Sequence, residues 1–241
     1  MKHFTLPKEG GLIEKGIPSD ILHSYEKIRT EIYDQSTTAS EVIADTIIDA
    51  INACQGRKFK LGLSTGVSPI SLYKWLTRKY DEGKVSFSNV EVYSIDEYYP
   101  YGKGEPQSRN SILHSSLLNA VDIKEENIHI PDGSVPEDKI SSYCEEYDKM
   151  ARDLDMLVIG MGEAGQVGFN EAGSTPASRT RTVLLSYQSR KRQGKNFNGD
   201  FKHTPSEAIT IGIDTMMSAK KIILMAWGED KANAVKQVVE N

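Results

Sequence analysis

The chain has 241 residues, of which 38% are hydrophobic, and one α/β domain can bury that amount around a single core. Its formal net charge is -5 and its Lys and Arg residues are scattered, so it lacks the basic stripe that neutralises a nucleic-acid backbone. No stretch approaches the roughly 18 apolar residues of a membrane span, and no apolar run follows the first residues. We therefore expect a cytoplasmic protein that binds neither nucleic acid nor membrane.

Residues 1–36 are polar and lack a sustained hydrophobic period, which predicts an N-terminal extension. A domain is predicted over residues 37–241, beginning with a helix that Thr38 and Glu41 start as a capping box. Beyond it, apolar strands alternate with helical patterns, which predicts a three-layer α/β fold with a mostly parallel, Rossmann-like sheet and helices on both faces. The predicted strands begin near Phe59, Val90, Ile128, Met156, Val183, Ala208 and Ile222. In such sheets ligands bind where the loops converge at the carboxyl ends of the strands.

The loop after the Phe59 strand, residues 64–69, has the sequence Ser-Thr-Gly-Val-Ser-Pro and precedes a helical pattern. Ser68 suits a helix cap and Pro69 suits the first turn. Backbone amides and the helix dipole favour negative charge at such a helix start, which predicts a phosphate site. Its candidate ligands are Thr65, Gly66, Val67 and Ser68. An ordinary strand–turn–helix junction explains the same residues, so that alternative stays open.

Two adjacent acids, Asp96 and Glu97, follow the Val90 strand. A carboxylate at the end of a buried strand needs a partner or a function. Asp96 has the chemistry to remove a carbon-bound proton next to an imine or carbonyl, the step that an aldose–ketose isomerisation requires. A solvated loop in which Asp96 caps the next turn is the structural alternative.

The loop that runs from Gly160 to Glu171 begins with G-x-G-x-x-G directly after a strand. A dinucleotide site needs this pattern in the first strand–turn–helix unit and an acid about 20 residues later. Here the pattern comes late and no acid lies between Glu171 and Asp200, so we expect no nicotinamide cofactor. The histidines have no metal-ligand spacing, and no metal site is predicted.

In this order the three loops resemble the glucosamine-6-phosphate deaminase (isomerase) family, from about Thr37 to the end of the chain. The residues that carry the resemblance are Asp96-Glu97-Tyr98, Gln107-Ser108, Gly160-Met161-Gly162, Phe169-Asn170-Glu171 and Ser178-Arg179-Thr180-Arg181. The related 6-phosphogluconolactonases share the fold and the phosphate loop but lack the Phe-Asn-Glu continuation. The resemblance implies an enzyme that converts glucosamine 6-phosphate, or a close analogue, to fructose 6-phosphate and ammonia.

The resemblance also implies residue roles. Asp96 matches the acid that transfers a proton, and Glu97 matches its companion. Glu171 matches the acid that supports the ring-opening group. The phosphate cradle corresponds to Thr65, Gly66, Val67 and Ser68 together with Lys231, and Lys195 stands where the family places an Arg. Lys keeps the positive charge of Arg but cannot form the bidentate hydrogen bonds of the planar guanidinium.

Two positions depart from the family pattern: Ala164 replaces an Asp, and Gln166 replaces the His that opens the sugar ring as acid and base. Gln takes up no proton near neutral pH, whereas imidazole titrates there. Two alternatives to a complete enzyme therefore stay open, a catalytically impaired regulatory domain that binds a sugar phosphate and a 6-phosphogluconolactonase-like hydrolase. The chain ends at Asn241, where relatives continue, which predicts a C-terminal truncation. A homo-oligomer is compatible with the sequence.

Overall fold

The computed structural model describes residues 27–240 and, before them, the backbone of two short antiparallel strands, β1 (Phe4–Thr5) and β2 (Ile13–Glu14). The predicted N-terminal extension, residues 1–36, lies mostly outside these described residues and stays a prediction. No helix of the described part is long and apolar enough to cross a membrane.

Helices and strands alternate along the rest of the chain. The helices are α1 (Ser36–Ala53), α2 (Ile70–Asp81), α3 (Arg109–Ser116), α4 (Ile140–Met150), α5 (Tyr187–Gln193), α6 (Ile213–Met217) and α7 (Ala232–Glu240). The strands are β3 (Phe59–Leu63), β4 (Val90–Ser94), β5 (Asp96–Tyr99), β6 (Ile128–His129), β7 (Met156–Gly160), β8 (Arg181–Leu184), β9 (Glu207–Thr210) and β10 (Ile222–Met225). Short 3₁₀ turns lie at Leu118–Ala120, Glu125–Asn127, Gly194–Phe197 and Glu229–Lys231.

The main sheet has five parallel strands in the order β10-β7-β3-β4-β6. Its side chains alternate between two cores. On one face, Leu61 and Val158 pack with residues of α1 and α2, whereas on the other face Leu157 and Ile159 pack with residues of α4 and α6. Helices therefore cover both faces, and the predicted mostly parallel α/β fold is confirmed.

A second sheet, with the antiparallel order β5-β9-β8, adjoins the end of β4. The segment from Asp96 to Tyr99 was predicted as a loop, and that prediction is wrong. It forms a strand because β9 pairs with it along its whole length, from Asp96 opposite Thr210 to Tyr99 opposite Glu207, and all four of its residues are buried.

Two predicted helix caps are also wrong. Helix α1 begins at Ser36 after Gln35, with no side-chain cap, so Thr38 already lies inside the helix and cannot form the capping box. Helix α2 is preceded by Pro69 and also has no side-chain cap. Ser68 instead lies in the loop before it, where its carbonyl accepts a hydrogen bond from the indole of Trp227 at 3.1 Å.

Candidate active site

Three loops meet at the carboxyl ends of β3, β7 and β10. We call residues 64–69 the phosphate loop and residues 160–171 the glycine loop. The Ser64 hydroxyl accepts the Gly160 amide at 3.2 Å, which ties the two loops together. A Cβ on Gly160 would lie 3.4 Å from the Ser68 side chain, and Trp227 after β10 donates to the Ser68 carbonyl. The loops therefore adjoin one another at the carboxyl edge of the sheet, where the ligand crevice of a parallel α/β fold is expected.

The phosphate loop combines an exposed rim with an unsatisfied hydroxyl. Gly66 and Val67 are exposed, whereas Thr65 is buried and its Oγ1 has no hydrogen-bond partner among the described residues. Buried hydroxyl groups usually have a hydrogen-bond partner, so the unpartnered Thr65 hydroxyl is available to a ligand. Together with the backbone amides at the N-terminus of α2, it is suited to bind an anion.

The two predicted phosphate-binding lysines lie in different surroundings. The side chain of Lys231 is only 15% exposed, and its ammonium lies 3.2 Å from Asp230 Oδ2. It lies four residues after Trp227, which follows β10 and contacts the phosphate loop. Lys195 is exposed in the 3₁₀ turn after α5 and forms no ion pair with any residue from 27 to 240. Its role stays a prediction.

Asp96 lies at the junction of the two sheets and is almost completely buried. Its Oδ1 lies 3.5 Å from Arg109 Nε, and no residue from 27 to 240 donates a hydrogen bond to its carboxyl group. Burial raises the pKa of Asp96, while the charge of Arg109 lowers it. Gly168 covers the carboxyl group, because a Cβ at Gly168 would lie 3.4 Å from Asp96 Oδ2, and the φ of Gly168 is 57°. The glycine loop therefore closes over Asp96 only because residue 168 has no side chain.

Glu97 does not join Asp96 in the crevice. Its Oε1 accepts the amides of Tyr98 and Arg109 at 2.8 and 2.9 Å, and its Oε2 accepts the Asn110 amide at 2.9 Å. Burial raises the pKa of Glu97 to about 7, although these backbone hydrogen bonds lower it. Successive side chains of a strand point in opposite directions, so Glu97 holds the start of α3 while Asp96 faces the glycine loop. The companion role of Glu97 stays a prediction, and in this geometry Glu97 contacts the start of α3.

Gln166 is folded back onto the glycine loop. Its Oε1 accepts the Ala164 amide at 3.1 Å, and its own carbonyl accepts the Gly162 amide at 2.8 Å. A Cβ on Gly162 would lie only 2.1 Å from Gln166 Cδ, so the Gln166 side chain occupies the space that a side chain at residue 162 would need. The predicted ring-opening position thus contributes a hydrogen bond within its own loop and no group that titrates near neutral pH.

Glu171 and Asn170 end the glycine loop in different ways. Asn170 is buried, donates to the Ile211 carbonyl at 2.8 Å and accepts from Arg181 Nη1 at 3.1 Å. Glu171 Oε2 accepts the Ser186 amide at 3.3 Å, whereas its buried Oε1 has no partner among the described residues. Asn170 therefore anchors the loop and Glu171 retains one oxygen for another group.

The basic pair in Ser178-Arg179-Thr180-Arg181 is already engaged. Arg179 donates to Asp148 through Nε at 2.7 Å and through Nη2, and Arg181 Nη2 donates to the Ser174 hydroxyl at 2.9 Å. These arginines hold the segment after the glycine loop against the domain. Among residues 27–240, no group of three or more His, Cys, Asp and Glu is placed to bind a metal.

One buried cation beside Asp96, Arg109, is not singled out by any sequence motif. Its position is readable in part, because Ser108 caps α3 by accepting the Ser111 amide at 3.0 Å. Ser is a preferred residue at the position before a helix, so the start of α3 is recognisable in the sequence. The contact with Asp96, 13 residues earlier in the chain, depends on tertiary structure.

Comparisons with known proteins agree with this architecture. The family model described as glucosamine-6-phosphate isomerases/6-phosphogluconolactonase matches residues 34–241. The chain is 38% identical over 232 residues to a putative glucosamine-6-phosphate deaminase-like protein of Bacteroides thetaiotaomicron, covering 94% of this chain but 35% of that longer protein. It is also 38% identical over 184 residues to glucosamine-6-phosphate deaminase 2 of Bacillus subtilis, covering 75% and 73% of the two chains.

A solved structure of a monomeric glucosamine-6-phosphate deaminase superposes with a TM-score of 0.81 at 29% identity, covering 86% of this chain and 85% of that one. The family model extends from the first helix through all three loops of the crevice to the end of the chain. The chain therefore belongs to the glucosamine-6-phosphate isomerase/6-phosphogluconolactonase family.

Proposed function

We propose that this chain binds glucosamine 6-phosphate, or a close aminosugar phosphate, and converts it with water to fructose 6-phosphate and ammonia. The observation that supports this most is Asp96, a buried carboxylate in the crevice that receives no hydrogen bond from the described residues. A carboxylate in this state is a competent base because burial raises its pKa and no hydrogen-bond donor stabilises the charged form.

The chemistry requires an isomerisation, in which a proton moves from C2 to C1, and one hydrolysis. In the open-chain aminosugar, Asp96 removes the proton from C2, the electron pair of that bond forms the C1–C2 double bond, and the π electrons of the C1 carbonyl move to O1, which takes up a proton. A proton is then returned to C1 while the nitrogen lone pair forms a C2–N double bond, which leaves a protonated imine at C2 and a hydroxyl group at C1. Water adds to this imine, and the C–N bond breaks to give the ketone and ammonia. No oxidant, metal or organic cofactor takes part in this sequence.

The phosphate group would occupy the other end of the crevice. Amides at the start of α2 and the hydroxyl of Thr65 are suited to its oxygens, and the shielded ammonium of Lys231 would supply counter-charge. Lys195 is exposed and free of ion pairs within residues 27–240, and its contact with the phosphate rests on the family resemblance alone. We assign phosphate binding mainly to the phosphate loop and Lys231.

Ring opening has no evident acid–base group. Gln166 is engaged with the Ala164 amide, and neither residue titrates near neutral pH. Sugar phosphates also open without catalysis, so we infer that this chain takes the open-chain form from solution. Turnover would then be limited by the supply of that form.

The state of Gln166 also favours a second candidate, a regulatory domain that binds a sugar phosphate without converting it. A 6-phosphogluconolactonase-like hydrolase is the third candidate, within the breadth of the family. The expected cytoplasmic location and any homo-oligomer stay predictions.

A panel experiment separates these functions. The protein is mixed with glucosamine 6-phosphate, glucosamine, glucose 6-phosphate and 6-phosphogluconolactone, and thermal stability and products are measured. We expect stabilisation by the phosphorylated sugars through mass action, and ammonia only from glucosamine 6-phosphate. Stabilisation without ammonia would favour the regulatory domain, and lactone hydrolysis would favour the lactonase. No stabilisation at millimolar concentration would contradict all three.

A further inference from the structure

A buried guanidinium lies beside the Asp96 carboxyl group. The side chains of Arg109 and Asp96 are each 7% exposed, and Arg109 Nε lies 3.5 Å from Asp96 Oδ1. Neither of these two atoms has a hydrogen-bond partner among the described residues. The pair is therefore an ion pair of close charges without a formed hydrogen bond.

Arg109 is held from several directions at once. Its guanidinium lies 4.7 Å from the ring centre of Tyr98 and 5.3 Å from that of Phe169, distances at which a cation is attracted to an aromatic face. Its Nη2 lies 3.5 Å from Gln193 Oε1, which also accepts the Tyr98 hydroxyl at 2.7 Å. Glu97 fixes the Arg109 backbone by accepting its amide. The position of the guanidinium is therefore determined by three elements of the fold.

Apart from Arg109, the groups near Asp96 that are named below carry no positive charge. Tyr73 on α2 and Tyr147 on α4 are buried phenols whose hydroxyls donate to the carbonyls of Ser64 and Ser94. From β9, Thr210 is opposite Asp96 and carries no charge. Tyr98 and Gly168 also lie near Asp96 and carry no positive charge, whereas the side chain of the adjacent acid Glu97 points toward the start of α3.

We propose that Arg109 is the positioning residue for proton transfer at Asp96, where it keeps the buried carboxylate ionised and oriented toward the glycine loop. This inference rests on the proposed function. An isolated ionised carboxylate is costly to bury, and a neighbouring guanidinium offsets that cost. Because no hydrogen bond has formed at 3.5 Å, the carboxylate oxygens remain able to accept a proton from carbon.

The same geometry gives Glu97 a place in the site. It contacts neither the crevice nor the carboxyl group of Asp96, yet it accepts the amides of Arg109 and Asn110. Glu97 thus acts on Asp96 through Arg109, and the adjacent acids of the sequence serve one site by different routes.

The test is a direct titration of the Asp96 carboxyl group. Protein labelled with ¹³C at the Asp carboxyl carbons is titrated by NMR, and the Asp96 resonance is assigned with Asp96→Asn. The same titration is made with Arg109→Gln, which removes the charge, with Arg109→Lys, which keeps it, and with Arg78→Gln as a control. Arg78 is exposed and pairs with Glu82 on the surface.

We expect Asp96 to be ionised at pH 7 in the unaltered protein. An opposite charge at this range lowers a carboxyl pKa by about one to three units, so Arg109→Gln should raise the midpoint by a comparable amount. Arg109→Lys should raise it less, and Arg78→Gln should leave it unchanged. An unchanged midpoint in folded Arg109→Gln would overturn the inference. So would a protonated Asp96 at pH 7 in the unaltered protein, a result for which only the assigning variant Asp96→Asn has to fold.

A kinetic measurement separates this inference from the proposed function. In Arg109→Gln the acidic limb of kcat/KM for ammonia release should move to higher pH with the titration midpoint, a shift that a general loss of structure would not produce. If the unaltered protein releases no ammonia, the proposed function fails while the titration still decides the role of Arg109. If ammonia is released but neither midpoint nor pH profile moves, the inference fails alone.

Discussion

Asp96 and Asp148 are both buried carboxylates, but their surroundings differ. Asp148 accepts hydrogen bonds from the amide and hydroxyl of Thr180, from the Thr215 hydroxyl and from Arg179. These donors lower the pKa of Asp148 to about 2, although burial opposes them. Asp96 has one ion pair and no hydrogen bond from the described residues, and its pKa is raised. A carboxylate that the fold has satisfied is structural, whereas one that it has left unsatisfied is available for chemistry.

The largest expected effect is a gain of activity from two substitutions in the glycine loop, which closes over Asp96. The double variant Ala164→Asp, Gln166→His restores the acid–base pair of the family pattern in the glycine loop. General acid–base help typically contributes about 10² to 10⁴ in rate, so turnover of glucosamine 6-phosphate should rise toward that range. The single variant Gln166→Asn is the control. An unchanged rate in the folded double variant would mean that ring opening does not limit this chain.

The next effect concerns stability. Asp148→Asn removes the acceptor of several buried donors and should lower the free energy of unfolding by about 2 to 4 kcal/mol. Asp96→Asn should not destabilise at pH 7, because a carboxyl group with a raised pKa makes folding less favourable once it ionises. Urea unfolding of both variants at pH 7 measures the difference. Equal losses would break the distinction between the two carboxylates.

Acid should reveal the same distinction without a variant. The pKa of Asp148 is lowered from 3.8 to about 2, so its contribution is present above the unfolded value and is lost as pH falls from about 4 toward about 2. The shift corresponds to about 2 kcal/mol. Unfolding measured at pH 6 and pH 3 should therefore show a smaller difference for Asp148→Asn than for the unaltered protein. Parallel curves would contradict the assignment.

A smaller effect tests the phosphate end of the crevice. Lys231→Met removes a shielded ammonium and should raise KM for glucosamine 6-phosphate about 10-fold or more, since a hydrogen bond to a charged group contributes about 1.5 to 3 kcal/mol. Lys236→Met, in an exposed position on α7, is the matched control. Equal KM values for the two variants would remove Lys231 from the phosphate site.

The smallest expected effect is at Glu97. Glu97→Gln replaces one carboxylate oxygen by an amide that cannot accept the Asn110 N–H, which should cost about 1 kcal/mol of stability. Because burial raises the pKa of Glu97 to about 7, ionisation of this group makes folding less favourable, so the stability difference between Glu97→Gln and the unaltered protein should shrink as pH rises toward that value. Glu105→Gln, at an exposed position, is the control for urea unfolding. No destabilisation would show that the α3 start does not need this carboxylate.

Much of the fold follows from local sequence pattern. The five parallel strands are short apolar segments whose alternating side chains serve two cores, and they were predicted with their intervening helices. Strand β5 was not, because Asp-Glu-Tyr-Tyr carries no strand period and becomes a strand only when β9 pairs with it. The predicted capping box at Thr38 is wrong because the helix already begins at Ser36.

The candidate site divides in the same way. Asp96 and the phosphate loop were singled out because they follow predicted strands, and the departures at Ala164 and Gln166 were identified only from the family resemblance. Arg109 is not, because its contacts with Asp96 and Phe169 join segments distant in the chain. The Glu97 side chain points away from Asp96 because residues 96–99 form strand β5, and the pairing of this strand with β9 was not predicted from the sequence.

The central claim, that the unsatisfied carboxylate of Asp96 transfers the proton, is tested most directly by measuring binding and turnover in one preparation of Asp96→Asn. Thermal stabilisation by glucosamine 6-phosphate is compared with release of ammonia and fructose 6-phosphate, and Asp49→Asn on the exposed side of α1 serves as the control. We predict retained stabilisation and a loss of release by about 10² to 10⁴-fold in Asp96→Asn, with both products equimolar in the unaltered protein. Undiminished release by Asp96→Asn would contradict the account.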